Sequence, residues 1–109
     1  MTAPHEHPSD DLQALRAKLD RIDELLLDRL CERLECCRSI AVVKRRVGVP
    51  MMQPHRIGVV QQRAAHYAAE HGIDGEFLRR LYDLIIDETC RLETLVMGAP
   101  PAHANASDR

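Results

Sequence analysis

The sequence predicts an all-α fold with three helices per chain, one of them very long, and two chains intertwined as a homodimer. Three observations support this prediction. The core must be aliphatic, because the 109 residues include one Phe, two Tyr and no Trp. Apolar residues recur every three or four positions along most of the chain, which is the period of a helix. One such run is too long for a chain of this size to cover by itself.

The first helix is predicted to start at Ser9 and Asp10 and to end at Gly48. Asp10 and Gln13 have the three-residue spacing of a capping box. The apolar positions then follow without a break: Leu12, Leu15, Leu19, Ile22, Leu26, Leu30, Leu34, Cys37 and Ala41. Such a helix of roughly 37 residues is about 55 Å long, so its stripe stays in water unless another chain covers it. We therefore expect a homodimer.

Two shorter helices follow. Pro54 suits a first helical position, and the second helix is expected to end at Gly72. Asp74 is placed to cap the third helix, which is expected to end at Gly98. The apolar face of the third helix is formed by Leu81, Tyr82, Ile85, Ile86, Thr89, Leu92 and Val96.

The composition predicts one folded domain, residues 10–98, between a flexible N-terminus of residues 1–9 and a disordered tail of residues 99–109. A formal net charge of -2 gives no reason to expect a nucleic-acid surface. No apolar run approaches membrane-spanning length. The four cysteines have no metal-ligand spacing and no secreted context, so we expect a cytoplasmic protein without a bound metal.

Two cations interrupt the apolar face of the first helix. Arg33 and Lys44 are separated by about three helical turns, roughly 16 Å, which leaves room for a small dianion between their side chains. Arg16 is about 25 Å from Arg33, so only a partner chain can supply it to the same site. Alternatively, the long stems cover apolar surface, and Arg16 pairs with Asp20.

Three further polar residues occupy informative positions. On the third helix Thr89 and Glu93 share a face with apolar neighbours. The alternative for Thr89 is a hydroxyl bonded back to its own helix, and the alternative for Glu93 is a partly exposed edge residue paired with an arginine. Arg56 stands in the first turn of the second helix, where the dipole disfavours a cation, which indicates that something else recruits it.

The pattern of these residues resembles the all-helical class of chorismate mutases over residues 11–97. The residues that carry the resemblance are Leu15, Arg16, Asp23, Arg33, Lys44, Arg56, Leu84, Ile85, Ile86, Thr89 and Glu93. The resemblance implies an intertwined dimer with two sites. Each site would contain Arg33, Lys44 and Arg56 of one chain and Arg16 of the other.

The resemblance also implies the reaction, a pericyclic rearrangement of chorismate to prephenate in aromatic amino acid biosynthesis or related shikimate-derived metabolism. Arg16 and Arg33 would bind one carboxylate of this dicarboxylate substrate, and Arg56 would help to hold its enolpyruvyl side. Lys44 and Glu93 would flank the ether oxygen, where Glu93 donates a hydrogen bond only when protonated. We assign Lys44, Glu93 and Arg33 as catalytic and Thr89 as substrate-binding. No cofactor or metal is needed, because binding the compact conformer and stabilising developing charge lower the barrier.

The sequence departs from the family at the start of the second helix. Many members carry acids there that address the substituent on ring carbon 4, whereas this chain has Gln53 and Ile57, which we also place in the binding site. The segment from Val49 to Pro54 looks like the 4-amino-4-deoxychorismate mutases. A protonated amine should prefer the missing acid, so chorismate is the first prediction and the amino analogue the second.

Two other functions remain open from the sequence. Isochorismate pyruvate lyases share the fold and the cationic site, and they differ in releasing pyruvate. A non-catalytic helical dimerisation module would explain the long apolar stripe. It would leave Arg33 and Lys44 as unexplained costs in a dimer core.

Overall fold

Three α-helices form nearly all of the chain that a computed structural model describes, namely residues 8–50 and 53–98. The helices are α1 (Pro8–Val47), α2 (Pro54–His71) and α3 (Gly75–Met97). No strand occurs within the two described ranges. The prediction of an all-α chain with one very long helix is confirmed, since α1 alone contains 40 residues. Most of the predicted flexible N-terminus and the whole predicted tail lie outside the described residues.

The ends of α1 follow from its sequence. The helix begins at Pro8, so Ser9 and Asp10 lie in its first turn and do not precede it as predicted. Proline favours this position because its fixed φ suits the first turn, which needs no backbone N–H donor. At the other end Gly48 has a φ of +80°. The Val49 N–H donates to the Lys44 carbonyl over 2.9 Å, which closes the last turn.

The second helix begins and ends where the sequence predicts. Gln53 is its extended N-cap residue, and Pro54 starts the helix. Gly72 adopts the left-handed conformation at φ +68°, and its N–H donates to the Ala68 carbonyl. The Ile73 N–H also reaches that carbonyl, over 3.0 Å, so α2 ends in the same kind of glycine cap as α1.

The third helix also has the predicted bounds, but Asp74 caps it differently. Asp74 is the N-cap residue, yet its side chain makes no capping hydrogen bond. The residue is exposed, so water competes with the backbone donors for its carboxylate. Its backbone carbonyl accepts from the Leu78 N–H over 3.1 Å, and Gly98 follows the last helical residue.

The chain divides into two units, and the boundary falls inside α1 after Arg33. In the first unit the apolar side chains of α1 are between 37% and 64% exposed: Leu12, Leu15, Leu19, Ile22, Leu25, Leu26, Leu27 and Leu30. These exposures agree with the argument that one chain leaves this stripe in water. None of the described helices is both long and apolar enough to span a membrane.

The second unit contains the end of α1 together with α2 and α3, and most of its buried apolar side chains are small. The buried apolar residues are Cys37, Ala41, Ala64, Ala68 and Leu92. The Gln61 amide also donates to Asp83 over 3.0 Å and joins α2 to α3. Small side chains let neighbouring helices approach closely, which brings the polar groups around them into contact.

Candidate active site

Lys44 and Glu93 form an ion pair between the last turns of α1 and α3. Lys44 Nζ lies 2.9 Å from Glu93 Oε1, and the two side chains are only 14% and 6% exposed. A buried pair of this kind costs desolvation energy that its mutual attraction only partly returns, so it is weak evidence for stability. The presence of this buried pair among mostly apolar residues points instead to a functional site.

Thr89 lies one turn before Glu93 on α3 and contacts Cys37 of α1. Its hydroxyl donates to the Ile85 carbonyl over 2.9 Å, which is the alternative the sequence left open for this residue. The Cys37 sulfur lies 3.6 Å from the Thr89 oxygen. With its proton directed at the Ile85 carbonyl, the Thr89 hydroxyl oxygen is available to accept from the Cys37 thiol.

Cys90 follows Thr89 and stays a thiol. Burial raises the pKa of Cys90, and the carboxylates of Glu93 and Asp87 raise it further. Only the thiolate is a strong nucleophile, so this residue is unsuited to covalent catalysis at neutral pH.

An open groove of about 400 Å³ runs beside the ion pair. Its lining consists of Cys36, Ser39, Ile40, Val43, Lys44, Val47, Val49 and Gln53. Lys44 is the charged member of this set and Gln53 the amide, and the other six are apolar or small. The volume falls within the range of small-molecule sites, and a few polar groups on an apolar lining are typical of them.

Gln53 reaches the groove from the start of α2. Its backbone carbonyl accepts from the Arg56 N–H over 2.9 Å and from the Ile57 N–H over 3.2 Å. Its side chain makes no capping hydrogen bond, and the first turn of α2 contains no acid. Arg56 is exposed and Ile57 is half-buried.

The remaining predicted site residues belong to the first unit. Arg16 is exposed and Arg33 is half-buried on their part of α1. The structure thus brings Lys44, Glu93 and Gln53 to one region of the second unit, with Thr89 one turn away. The parts of Arg16 and Arg33 in the site stay predictions.

A model of the chorismate mutase type II family matches residues 15–94 of this chain. The matched span is most of the chain and includes the ion pair, the groove and every predicted site residue. The chain belongs to the chorismate mutase type II family. The family and the similar proteins described below are named as mutases, and mutases are isomerases. The chain is therefore an isomerase.

Three similar proteins place the chain within the chorismate mutase family. A protein named 4-amino-4-deoxychorismate mutase from Streptomyces pristinaespiralis is 56% identical, over 93% of this chain and 83% of that protein. Another of the same name from Streptomyces venezuelae is 54% identical, over 82% of this chain and 86% of its own length. A chorismate mutase from Methanocaldococcus jannaschii is 25% identical, over 77% of this chain and 85% of that protein.

The sequence did not indicate several residues of this candidate site. The groove includes Ile40 and Val47, which are one turn from Lys44 on either side along α1, and Val43, which is one turn from both of them. The helical period alone was enough to find them. The Arg45 guanidinium donates to the Val96 carbonyl over 3.2 Å. No sequence pattern indicates this contact, because it depends on how α1 and α3 are aligned.

Proposed function

We propose that this protein is a 4-amino-4-deoxychorismate mutase, with chorismate mutase as the second candidate. The observation that carries the proposal is the contrast in identity. The two relatives of that name are 56% and 54% identical over most of the chain. The relative named chorismate mutase is 25% identical. This reverses the order that the sequence alone favoured.

The groove supports an amino substituent if the amine binds in its neutral form. Lys44 repels an ammonium group, and no carboxylate is among the described residues that line the groove. An unpaired ammonium would therefore be costly there. A carboxylate only accepts hydrogen bonds, whereas the Gln53 amide also donates them. Gln53 thus suits the lone pair of a neutral amine, which removes the objection that an acid is missing.

The chemistry proposed for the site needs no covalent intermediate. The enolpyruvyl side chain must fold over the ring before one C–C bond forms as the C–O ether bond breaks. Holding the substrate in that compact conformer removes much of the entropic barrier. The Lys44 ammonium supplies a positive charge where negative charge develops on the ether oxygen. In the free protein Glu93 accepts from Lys44 and fixes its position.

We also propose that the site is completed in a homodimer, with Arg16 of the partner subunit binding a substrate carboxylate beside Arg33. The exposed leucines of the first unit support this, because they form an apolar stripe that needs covering. An arginine on that stripe would then be carried into the partner's site. Arg56 would hold the second carboxylate.

The test is to incubate the purified protein separately with 4-amino-4-deoxychorismate, chorismate and isochorismate, and to identify the products by mass spectrometry. We expect kcat/KM for the amino substrate to exceed that for chorismate by about tenfold or more. A higher value for chorismate would favour the second candidate. Release of pyruvate from isochorismate would indicate a lyase, and no turnover of any substrate would refute the enzyme assignment.

A variant tests the role of Gln53 in the same assay. Gln53→Glu replaces the donor with a carboxylate, and we expect it to shift the preference toward chorismate, whose hydroxyl group donates. Gln62→Glu is the matched control, since Gln62 is exposed on α2 and outside the groove. An equal change in both variants would mean that charge alone, and not contact with the ring substituent, sets the preference.

A further inference from the structure

Arg45 of α1 forms a hydrogen bond with the last turn of α3. Its guanidinium donates to the Val96 carbonyl over 3.2 Å, and Val96 is one turn after Glu93. We propose that Arg45 is a positioning residue that holds the last turn of α3, and with it Glu93, against Lys44. This inference rests on the proposed function, in which Lys44 and Glu93 flank the reacting ether.

The end of α3 needs such a contact. The last four carbonyls of a helix have no partner within it, and a helix end that lacks partners frays. The Gly98 N–H satisfies the Leu95 carbonyl over 3.3 Å. The last turn of α3 contains no basic residue of its own to favour the negative end of the dipole. Arg45 supplies both a donor and a positive charge there.

The position of Glu93 makes this end important for the site. Glu93 is only four residues before Met97, the last residue of α3, so fraying of one turn reaches it. Lys44 and Arg45 are consecutive on α1, and consecutive helical side chains point about 100° apart. They therefore hold α3 from two directions, at Glu93 and one turn beyond it.

The contact with Val96 is not a by-product of another interaction of Arg45. The residue is exposed, and it makes no ion pair with a carboxylate in the described ranges. It is also absent from the lining of the groove, so it acts through Glu93 and not on the substrate. Arg46 is the natural control, because it has the same charge, the same exposure and the neighbouring position on α1.

The first experiment compares Arg45→Met with Arg46→Met using the substrate that the wild-type protein turns over. We expect Arg45→Met to lower kcat by about tenfold or more, because a small displacement of a catalytic group has that effect. KM should stay within about twofold, since substrate contacts are retained. Arg46→Met should match the wild type, and Arg45→Lys should recover part of the loss.

A double-mutant cycle separates positioning from a general loss of stability. If Arg45 acts through Glu93, then Arg45→Met adds little to the loss in kcat caused by Glu93→Ala. An additive loss, or a kcat for Arg45→Met equal to that of Arg46→Met, would overturn the proposal. A lower melting temperature with unchanged kcat would assign Arg45 a structural role only.

A second measurement does not depend on turnover. Carbon-13 NMR of the Glu93 carboxyl and amide hydrogen exchange from Thr94 to Met97 report the last turn of α3 directly. We expect a shifted Glu93 signal and faster exchange in Arg45→Met, with neither change in Arg46→Met. Without turnover by the wild type the proposed function fails, and this measurement still decides whether Arg45 positions Glu93. Unchanged spectra in Arg45→Met would overturn that role.

Discussion

At the scale of single residues, Lys44 and Glu93 place opposite charges where water reaches them poorly. The pair lies beside an apolar groove, with Thr89 one turn before Glu93 on α3. Its attraction does not by itself justify the cost of burying two charges. In the proposed function this cost is explained, because a cation held in place before the substrate arrives would need no reorganisation as charge develops on the ether oxygen.

This view predicts that removing both members of the pair affects activity and stability differently. Lys44→Met leaves Glu93 as an unpaired buried charge, so we expect a loss of about 3 kcal/mol in the free energy of unfolding. Activity should fall by about a hundredfold or more. The double variant Lys44→Met, Glu93→Leu should regain most of the stability and none of the activity. Urea unfolding and steady-state kinetics measure both, and a double variant less stable than Lys44→Met would contradict this view.

At the scale of elements, glycine determines where the helices end. Gly48 and Gly72 adopt positive φ angles and are each followed by a residue whose N–H donates back to the helix. A side chain at such a position is strained, because the left-handed conformation brings Cβ too close to the backbone. Gly58 is a different case, since it lies within α2 and a Cβ there would meet nothing within 4 Å.

The same substitution should therefore have opposite effects at two glycines of α2. Gly72→Ala should lower the free energy of unfolding by about 1 kcal/mol because of the left-handed cap. Gly58→Ala should raise it by about 0.5–1 kcal/mol, because alanine is the better helix former. Thermal unfolding of both variants under the same conditions gives the comparison. A loss of stability in Gly58→Ala would mean that this position needs glycine for another reason.

The elements were also the most predictable part of the molecule. Gly48, Gly72 and Gly98 predicted the three helix ends correctly, because their conformational freedom is a local property. The start of α1 was wrong by two residues, since Pro8 and Asp10 are both acceptable first-turn residues. The contacts of Cys37 with Thr89 and of Arg45 with Val96 were not predictable. They depend on the alignment of two helices that are far apart in sequence.

The candidate site was predictable only in part, because some of its features are local and others depend on tertiary contacts. Lys44 and Glu93 interrupt apolar faces, and a helical period reveals such residues without any structure. Their mutual contact, at 2.9 Å, required the tertiary arrangement. The choice between an amino and a hydroxyl substituent on the substrate ring depended on comparison with similar proteins, because Gln53 alone suits either group.

At the scale of the whole molecule, the proposed homodimer would make both stability and the site depend on the long helix. The first unit exposes eight leucine and isoleucine side chains, and helices in proteins owe most of their stability to packing of their apolar face. A second chain that covers the stripe would also bring Arg16 of the partner subunit to the site of Lys44. Folding, dimerisation and activity should then be lost together, for example on dilution below the dissociation constant.

Subunit mixing tests whether Arg16 acts across the dimer. Arg16→Ala and Lys44→Met should each be inactive as homodimers, because every site then lacks one cation. In a mixed dimer, one site combines the intact Lys44 of one chain with the intact Arg16 of the other, while the second site lacks both. Random exchange of equal amounts makes about half of the dimers mixed, so about one quarter of wild-type activity should return.

Two control mixtures use the Arg33→Ala variant. The first combines Arg16→Ala with Arg33→Ala, and the second combines Lys44→Met with Arg33→Ala. The first pair should recover activity and the second should not, since in the proposed dimer Lys44 and Arg33 come from the same chain at each site. No recovery in either Arg16→Ala mixture, with subunit exchange verified by mass spectrometry, would refute the contribution of Arg16 across the dimer.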